Sequence, residues 1–145
     1  MAEVTFSVAC DNAIIDSRTG KFSIINILDE IHIRSEEFPT TNEWIELSLQ
    51  LNVVTAFVRS DWEKPERAIA ALKIAAPRGD IYSKQFELEV DLERSKICRN
   101  LAIFNAPVHA PGVHFVIIEM QDGPDKWKEA YKFPIVVIWD KPTSV

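Results

Sequence analysis

Hydrophobic residues recur at every second position along most of this chain, as they do in strands that bury one face. Val4, Phe6, Val8 and Cys10 alternate with Thr5, Ser7 and Ala9; Asp11-Asn12 interrupts, and Ala13-Ile14-Ile15 resumes. Asp16 to Lys21 reads as a turn, with Gly20 supplying a positive φ. Residues 22–34 read as one long strand, so the chain opens with a hairpin. The polar stretch 35–42, which contains Phe38-Pro39, is a connection. Residues 43–54 show the cleanest alternation. Ile45, Leu47, Leu49, Leu51 and Val53 form a face expected to be buried; Glu46, Ser48, Gln50 and Asn52 form one expected to be wet.

Residues 59–67 are the most polar segment and predict a long loop. The alanines of 68–76 would suit a helix, yet Pro77-Arg78-Gly79-Asp80 turns the chain directly into another strand, so 68–76 is read as a strand too. Residues 81–92 follow, with Phe86, Leu88, Val90 and Leu92 inside and Gln85, Glu87, Glu89 and Asp91 outside. Further strands are expected at 97–107, 113–120 and 126–139, separated by turns at 93–96 and 121–125 and by the connection 107–112, with a frayed tail at 140–145. About eight strands without long intervening helices predict an all-β fold, a two-layer antiparallel β-sandwich.

Pro111-Gly112-Val113-His114-Phe115-Val116-Ile117 through Asp122-Gly123, then Phe133-Pro134-Ile135-Val136-Val137, resembles the last hairpin of immunoglobulin-like sandwiches. There a Pro-Gly turn opens a strand, an Asp-Gly turn follows, and an apolar strand ends the domain. His114 departs from that pattern, which usually places an aromatic residue there. Cys10-Asp11, Gly20-Lys21-Phe22-Ser23-Ile24, Asn26-Ile27-Leu28-Asp29 and Phe38-Pro39 resemble the opening of an uncharacterised bacterial all-β family of about this length, which has no assigned activity. The resemblances imply an immunoglobulin-like fold, and fold alone does not imply function.

Composition narrows the functional classes. At 145 residues the chain is expected to form one domain, 1–145, burying roughly two-thirds of its unfolded surface. The formal charge is −6 and no basic stripe is present, which opposes nucleic acid and acidic membrane surfaces as partners. The start, Met1-Ala2-Glu3, does not read as a secretion signal, and the apolar runs are too short to span a bilayer, so a cytoplasmic location is expected. The two cysteines, Cys10 and Cys98, are too few for a disulfide framework and are read as buried thiols.

The candidate chemistry is thin. His109 and His114 could form half of a metal site with Asp122 or Asp125, but five residues across a turn fix no geometry. His32 lies beside Asp29 and Glu30, and strand alternation puts it on the face of Glu30, as in a surface ion pair. Asp61 with Glu63, and Asp122 with Asp125, offer too few oxygens for calcium unless loops at one end pool them. No nucleophile elbow, phosphate-cradling loop or dinucleotide fingerprint occurs. No catalytic residue, metal or cofactor is therefore assigned, and a non-enzymatic protein is expected.

Apolar surplus is the more informative signal. In 113–120, Phe115 and Ile117 oppose His114, Val116, Ile118 and Met120. In the last strand Val136 and Ile138, with Pro134, oppose the set from Tyr131 to Trp139. In 22–34, Ile25, Ile27, Ile31 and Ile33 oppose Phe22, Ile24 and Leu28. A two-layer sandwich covers one face of each sheet, so these strands call for a second cover: the loop 35–42, the segment 62–67 or another chain. Trp62 and Trp127, in polar turn-like contexts, join Phe115, Ile117, Val136 and Ile138 as candidate contact residues. The expectation is an interaction domain that forms a homo-oligomer or binds a protein partner, the alternative being a small-ligand or metal module built on loops 61–64 and 122–125.

Overall fold

The computed structural model describes residues 1–34 and 43–140. The described residues form nine strands and no helix: β1 (Glu3–Ile15), β2 (Phe22–Ile27), β3 (Glu30–Arg34), β4 (Ile45–Val58), β5 (Glu66–Ala75), β6 (Phe86–Leu92), β7 (Ile97–Val108), β8 (Gly112–Gln121) and β9 (Trp127–Asp140). They make two sheets, with orders β2-β1-β4-β7 and β3-β9-β8-β5-β6. The sheets share one core. Ala9, Leu51, Val53, Phe57, Phe104 and Ala106 come from the first; Leu72, Ile74, Val90, Val116, Ile118, Ile135 and Val137 come from the second.

The all-β class and most strand positions agree with the alternation, and the alanine-rich 68–76 lies largely within a strand. The segment 22–34 is not one strand. Asn26 takes a left-handed φ of 55°, Leu28 N–H donates to Ala9 O at 2.7 Å, and Val136 N–H donates to Asp29 O at 2.8 Å. Leu28 thus still bonds to the first sheet while Asp29 bonds to the second, and the chain changes sheets between them. β3 then runs parallel to β9, so the arrangement is not purely antiparallel.

Three further expectations are corrected. Residues 81–85 are not part of β6; Ile81 makes only an isolated bridge to Ala75, and Tyr82 N–H donates to Ile74 O at 2.8 Å. The frayed tail begins too early at 140, because Asp140 pairs with Arg34 in the β3–β9 ladder; residues 141–145 lie outside the described residues. In β4 the alternation of buried and wet faces fails. Its register against β7 shifts between Glu46 and Gln50, Leu49 is exposed, and from Leu51 to Phe57 both faces are buried, including Asn52, Val54 and Ala56. The first sheet's outer side is therefore apolar at its centre.

Candidate interaction surfaces

Phe115, Ile117, Val136 and Ile138 come together on the outer face of the second sheet. The register sets Val113 opposite Val136, Phe115 opposite Pro134 and Ile117 opposite Lys132. Each of the four is only half-buried, and charged side chains are interleaved among them. Lys132 Nζ lies 4.6 Å from the Phe115 ring centroid. Lys73, across from Ile117, pairs with Glu119. His32, across from Ile138, faces two flanking carboxylates, and its imidazolium donates to both: Nδ1 lies 2.8 Å from Asp140 and Nε2 3.1 Å from Glu30. These bonds, Asp140's first, hold the His32 imidazolium to a higher pH than usual. Lys132 thus lies over the Phe115 ring, and cover of this kind lies outside the loop-or-partner alternatives that the alternation offered. The loop 35–42 with Phe38, the other cover expected, lies outside the described residues.

Trp62 and Trp127 sit at one end of the sheets, in the β4–β5 connection and just after the β8–β9 turn. Trp62 is exposed, with Lys96 Nζ 4.8 Å from its ring centroid. Its loop is clamped by Arg59, whose guanidinium donates to Leu92 O at 2.8 Å and Glu93 O at 2.9 Å. Asp61 spends its carboxylate locally, accepting Glu63 N–H at 3.1 Å and lying 3.8 Å from Lys64 Nζ. An open concavity at this end is lined by Glu66, Arg67, Glu87, Glu89 and Asp122. Among the described residues no group of three or more His, Cys, Asp or Glu is placed to hold a metal.

The histidine pair lies at the opposite end. His114 begins β8 and Asp122 follows its end, about 26 Å along a strand, so the proposed pairing of His109 and His114 with Asp122 or Asp125 is geometrically excluded. Both histidines are buried. Ring packing closes the cluster: Trp44 lies 5.1 Å from Tyr82, 5.2 Å from His109 and 6.0 Å from His114, centroid to centroid. His109 N–H donates to His114 Nε2 at 3.1 Å, which leaves the proton on Nδ1, 3.3 Å from Gly112 O. Burial pushes the His114 pKa down, consistent with a neutral ring that acts as a structural bridge. At the rim, Tyr82 O–H donates to Glu46, which also binds Lys84 Nζ at 2.7 Å.

Cys10 and Cys98 cannot meet. They sit on strands separated by β4, Cys10 opposite Asn52 and Cys98 opposite Phe57, on opposite faces of the first sheet. Burial pushes the Cys10 thiol up, which makes it a poor nucleophile.

The barest apolar surface is the β1–β2 ribbon, which the alternation marked only through Ile25 and Ile27. β1 pairs with β4 as far as Cys10 opposite Asn52. There Asn52 Nδ2–H donates to Asp11 O at 2.9 Å, a side chain replacing the next ladder rung. Beyond it β1 pairs with β2 alone, Asn12 opposite Ile25 and Ile15 opposite Phe22. No residue from 11 to 27 belongs to the core or packs against it among the described residues. Ile27 is 66% exposed, Ile14 51%, Ile15 50% and Ile25 40%. Ile14 and Ile15 project to opposite sides, so both faces of the ribbon are apolar. The same outer sheet face runs on across Phe6, Val8, Val54 and Leu101 to exposed Ile97 and Ile103 on β7, interrupted by Arg99 and Asn52. The sequence signal for this continuation is Ile97, Leu101 and Ile103, in period two but for Arg99, together with Val54 at the expected end of its strand and Ala56 just past it.

The chain matches no family model, and no curated protein is similar to it in sequence.

Proposed function

We propose that this protein is a non-enzymatic, immunoglobulin-like interaction domain that self-associates through the β1–β2 ribbon. The strand order supports the fold reading. With β2 and β3 set aside, β1-β4-β7 and β9-β8-β5-β6 correspond to strands A-B-E and G-F-C-C′ of a variable-type immunoglobulin sandwich. β1 runs antiparallel to β4 as A does to B, and β2 then stands as an additional strand on the outside of its sheet.

The observation that carries the functional reading is the ribbon itself. A two-stranded hairpin is marginal in water unless it packs on something, and this one exposes four isoleucines on two faces. Together they leave about two isoleucine side chains' worth of surface in water per copy. Covering it in both copies of a dimer contributes about 6–12 kcal/mol, against association costs of about 4–15 kcal/mol. At its favourable end, about 8 kcal/mol, that balance corresponds to reversible association at micromolar concentrations. Sedimentation velocity tests it: the wild type shifts to a larger species with concentration, and the double variant Ile25→Lys with Ile27→Lys stays monomeric while keeping its strand circular dichroism. A wild type that remains monomeric throughout rejects the proposal.

A further inference from the structure

We infer that His114 is an acid-sensitive latch: when its ring takes up a second proton, the connection between β7 and β8 lets go of that end of the sandwich. This concerns the buried histidine end and does not depend on self-association. His114 is 3% exposed and His109 7%. The His109 N–H can only donate, so His114 Nε2, 3.1 Å away, must offer a lone pair. The proton of the neutral ring then sits on Nδ1, directed at Gly112 O at 3.3 Å. Both ring nitrogens are thus engaged within the turn that links the two strands. A proton added at Nε2 would face the His109 N–H, donor against donor, and break the bond that ties the end of β7 to the start of β8.

The surroundings do not compensate a charge on this ring. Ile31 of β3, Leu51 of β4, Ile74 of β5, Pro107 of β7 and Ile135 of β9 line a narrow gap with it. Trp44, just before β4, packs edge-on against it. The titratable neighbours favour the neutral ring or are already engaged. His109 packs on the same Trp44, and a charge there opposes one on His114. Asp80, in the β5–β6 connection, lies 3.8 Å from His109 Nε2 and so stabilises a charge on His109. Glu46 is bound by Tyr82 O–H and Lys84. Among the described residues no carboxylate pairs with His114. A buried imidazolium without an anion is costly, so the proton is accepted by opening. Burial holds the folded His114 pKa below the ordinary imidazole value of about 6.5, so the latch is fully closed above that value and weakens as pH falls below it. The 77–80 turn belongs to the same clasp, because Pro77 lies so close to Gly112 that a Cβ there would sit 3.1 Å from Pro77 Cγ. Opening therefore uncovers Trp44.

The test is amide hydrogen exchange followed by NMR, as protection factors corrected for the intrinsic pH dependence of exchange, with nitrogen-detected titration of the histidine rings. The wild-type His114 ring is expected to carry its proton on Nδ1 at pH 7. The His109 amide is expected to lose about tenfold in protection between about pH 7 and pH 5, since each opening takes up one proton. His114→Gln, whose side-chain oxygen accepts the same N–H without titrating, should hold that protection constant. His109→Phe, which keeps the backbone N–H and removes the Asp80 contact, should retain the loss. A His109 amide indifferent to pH in the wild type overturns the latch, as does a pH response that survives in His114→Gln or vanishes in His109→Phe. Equal loss across the β4 and β7 amides would mean global unfolding and overturns it too. Thermal melts at pH 7 show whether each variant folds; should His114→Gln fail to, the ring titration and the His109→Phe profile decide.

Discussion

The outer faces of the two sheets carry similar numbers of apolar side chains and solve the exposure problem differently. On the second sheet Phe115, Ile117, Val136 and Ile138 lie among Lys132, Lys73, Glu119 and His32, and each is half-buried by its own neighbours. On the first sheet the ribbon residues Ile14, Ile25 and Ile27 have only Asn12 and Ser23 between them on that face. The contrast shows that charged neighbours can screen an apolar outer face on one sheet while the other sheet leaves comparable side chains bare.

The largest expected difference sets the core against the ribbon. Phe57, fully buried between the sheets, should lose about 3–5 kcal/mol on Phe57→Ala in urea unfolding. Ile27→Thr, measured in dilute monomer, should change stability by no more than about 0.5 kcal/mol. A monomer cost above about 2 kcal/mol at Ile27 would mean that the chain covers its own ribbon, and the comparison would fail.

Where the ribbon leaves the sheet, a single amide takes over from the ladder. Asn52→Ala removes the donor to Asp11 O and should cost about 1–2 kcal/mol. Its sharper signature is local: amide exchange should accelerate across residues 11–27 and stay unchanged in β8. Uniform acceleration would show that the ribbon and the core open as one unit.

The shielded face offers a smaller effect. Lys132→Ala uncovers the Phe115 ring and should cost about 0.5–1 kcal/mol, while binding of an apolar dye increases. If dye binding does not move, the lysine is not what covers the ring.

The alternation made the class and the core legible, because inner-face residues such as Leu88, Val90 and Leu92 keep strict period two against a common layer. It could not register the crossing at Leu28–Asp29. Ile25, Ile27, Ile31 and Ile33 keep one parity straight through it, so the pattern is blind to a change of sheet; the left-handed Asn26 beforehand is only a faint mark. The parallel partnership of β3 with β9 joins residues more than a hundred positions apart, which no local window contains. The candidate metal set failed for a related reason. His114 and Asp122 are near in sequence but occupy the two ends of one extended strand. Parity alone puts Phe115 with Ile117 on one face of β8 and Val136 with Ile138 on one face of β9, whereas their meeting on one sheet and their screening by Lys132, Lys73 and His32 depend on strand order.

Two edge strands flank the crossing at Leu28–Asp29: β3, which carries Glu30, His32 and Arg34, and β2, which carries no charge. His32 on β3 is held by Asp140 and Glu30, whose bonds raise its pKa above the ordinary imidazole value of about 6.5. A raised folded value means the bridge is fully formed below that ordinary value and is lost as pH rises through the higher one. Asp140 ends β9 and Glu30 begins β3, so losing the His32 proton should loosen the β3–β9 edge as pH rises past the ordinary imidazole value and leave β2 untouched. A histidine-resolved NMR titration should place His32 above His114, whose burial lowers it. Exchange of the β3 amides should rise over the same interval in the wild type, and His32→Gln should abolish that pH dependence. If the β3 amides respond to pH equally in the variant, the bridge does not hold the edge, and β3 would have to owe its protection to parallel pairing with β9 alone.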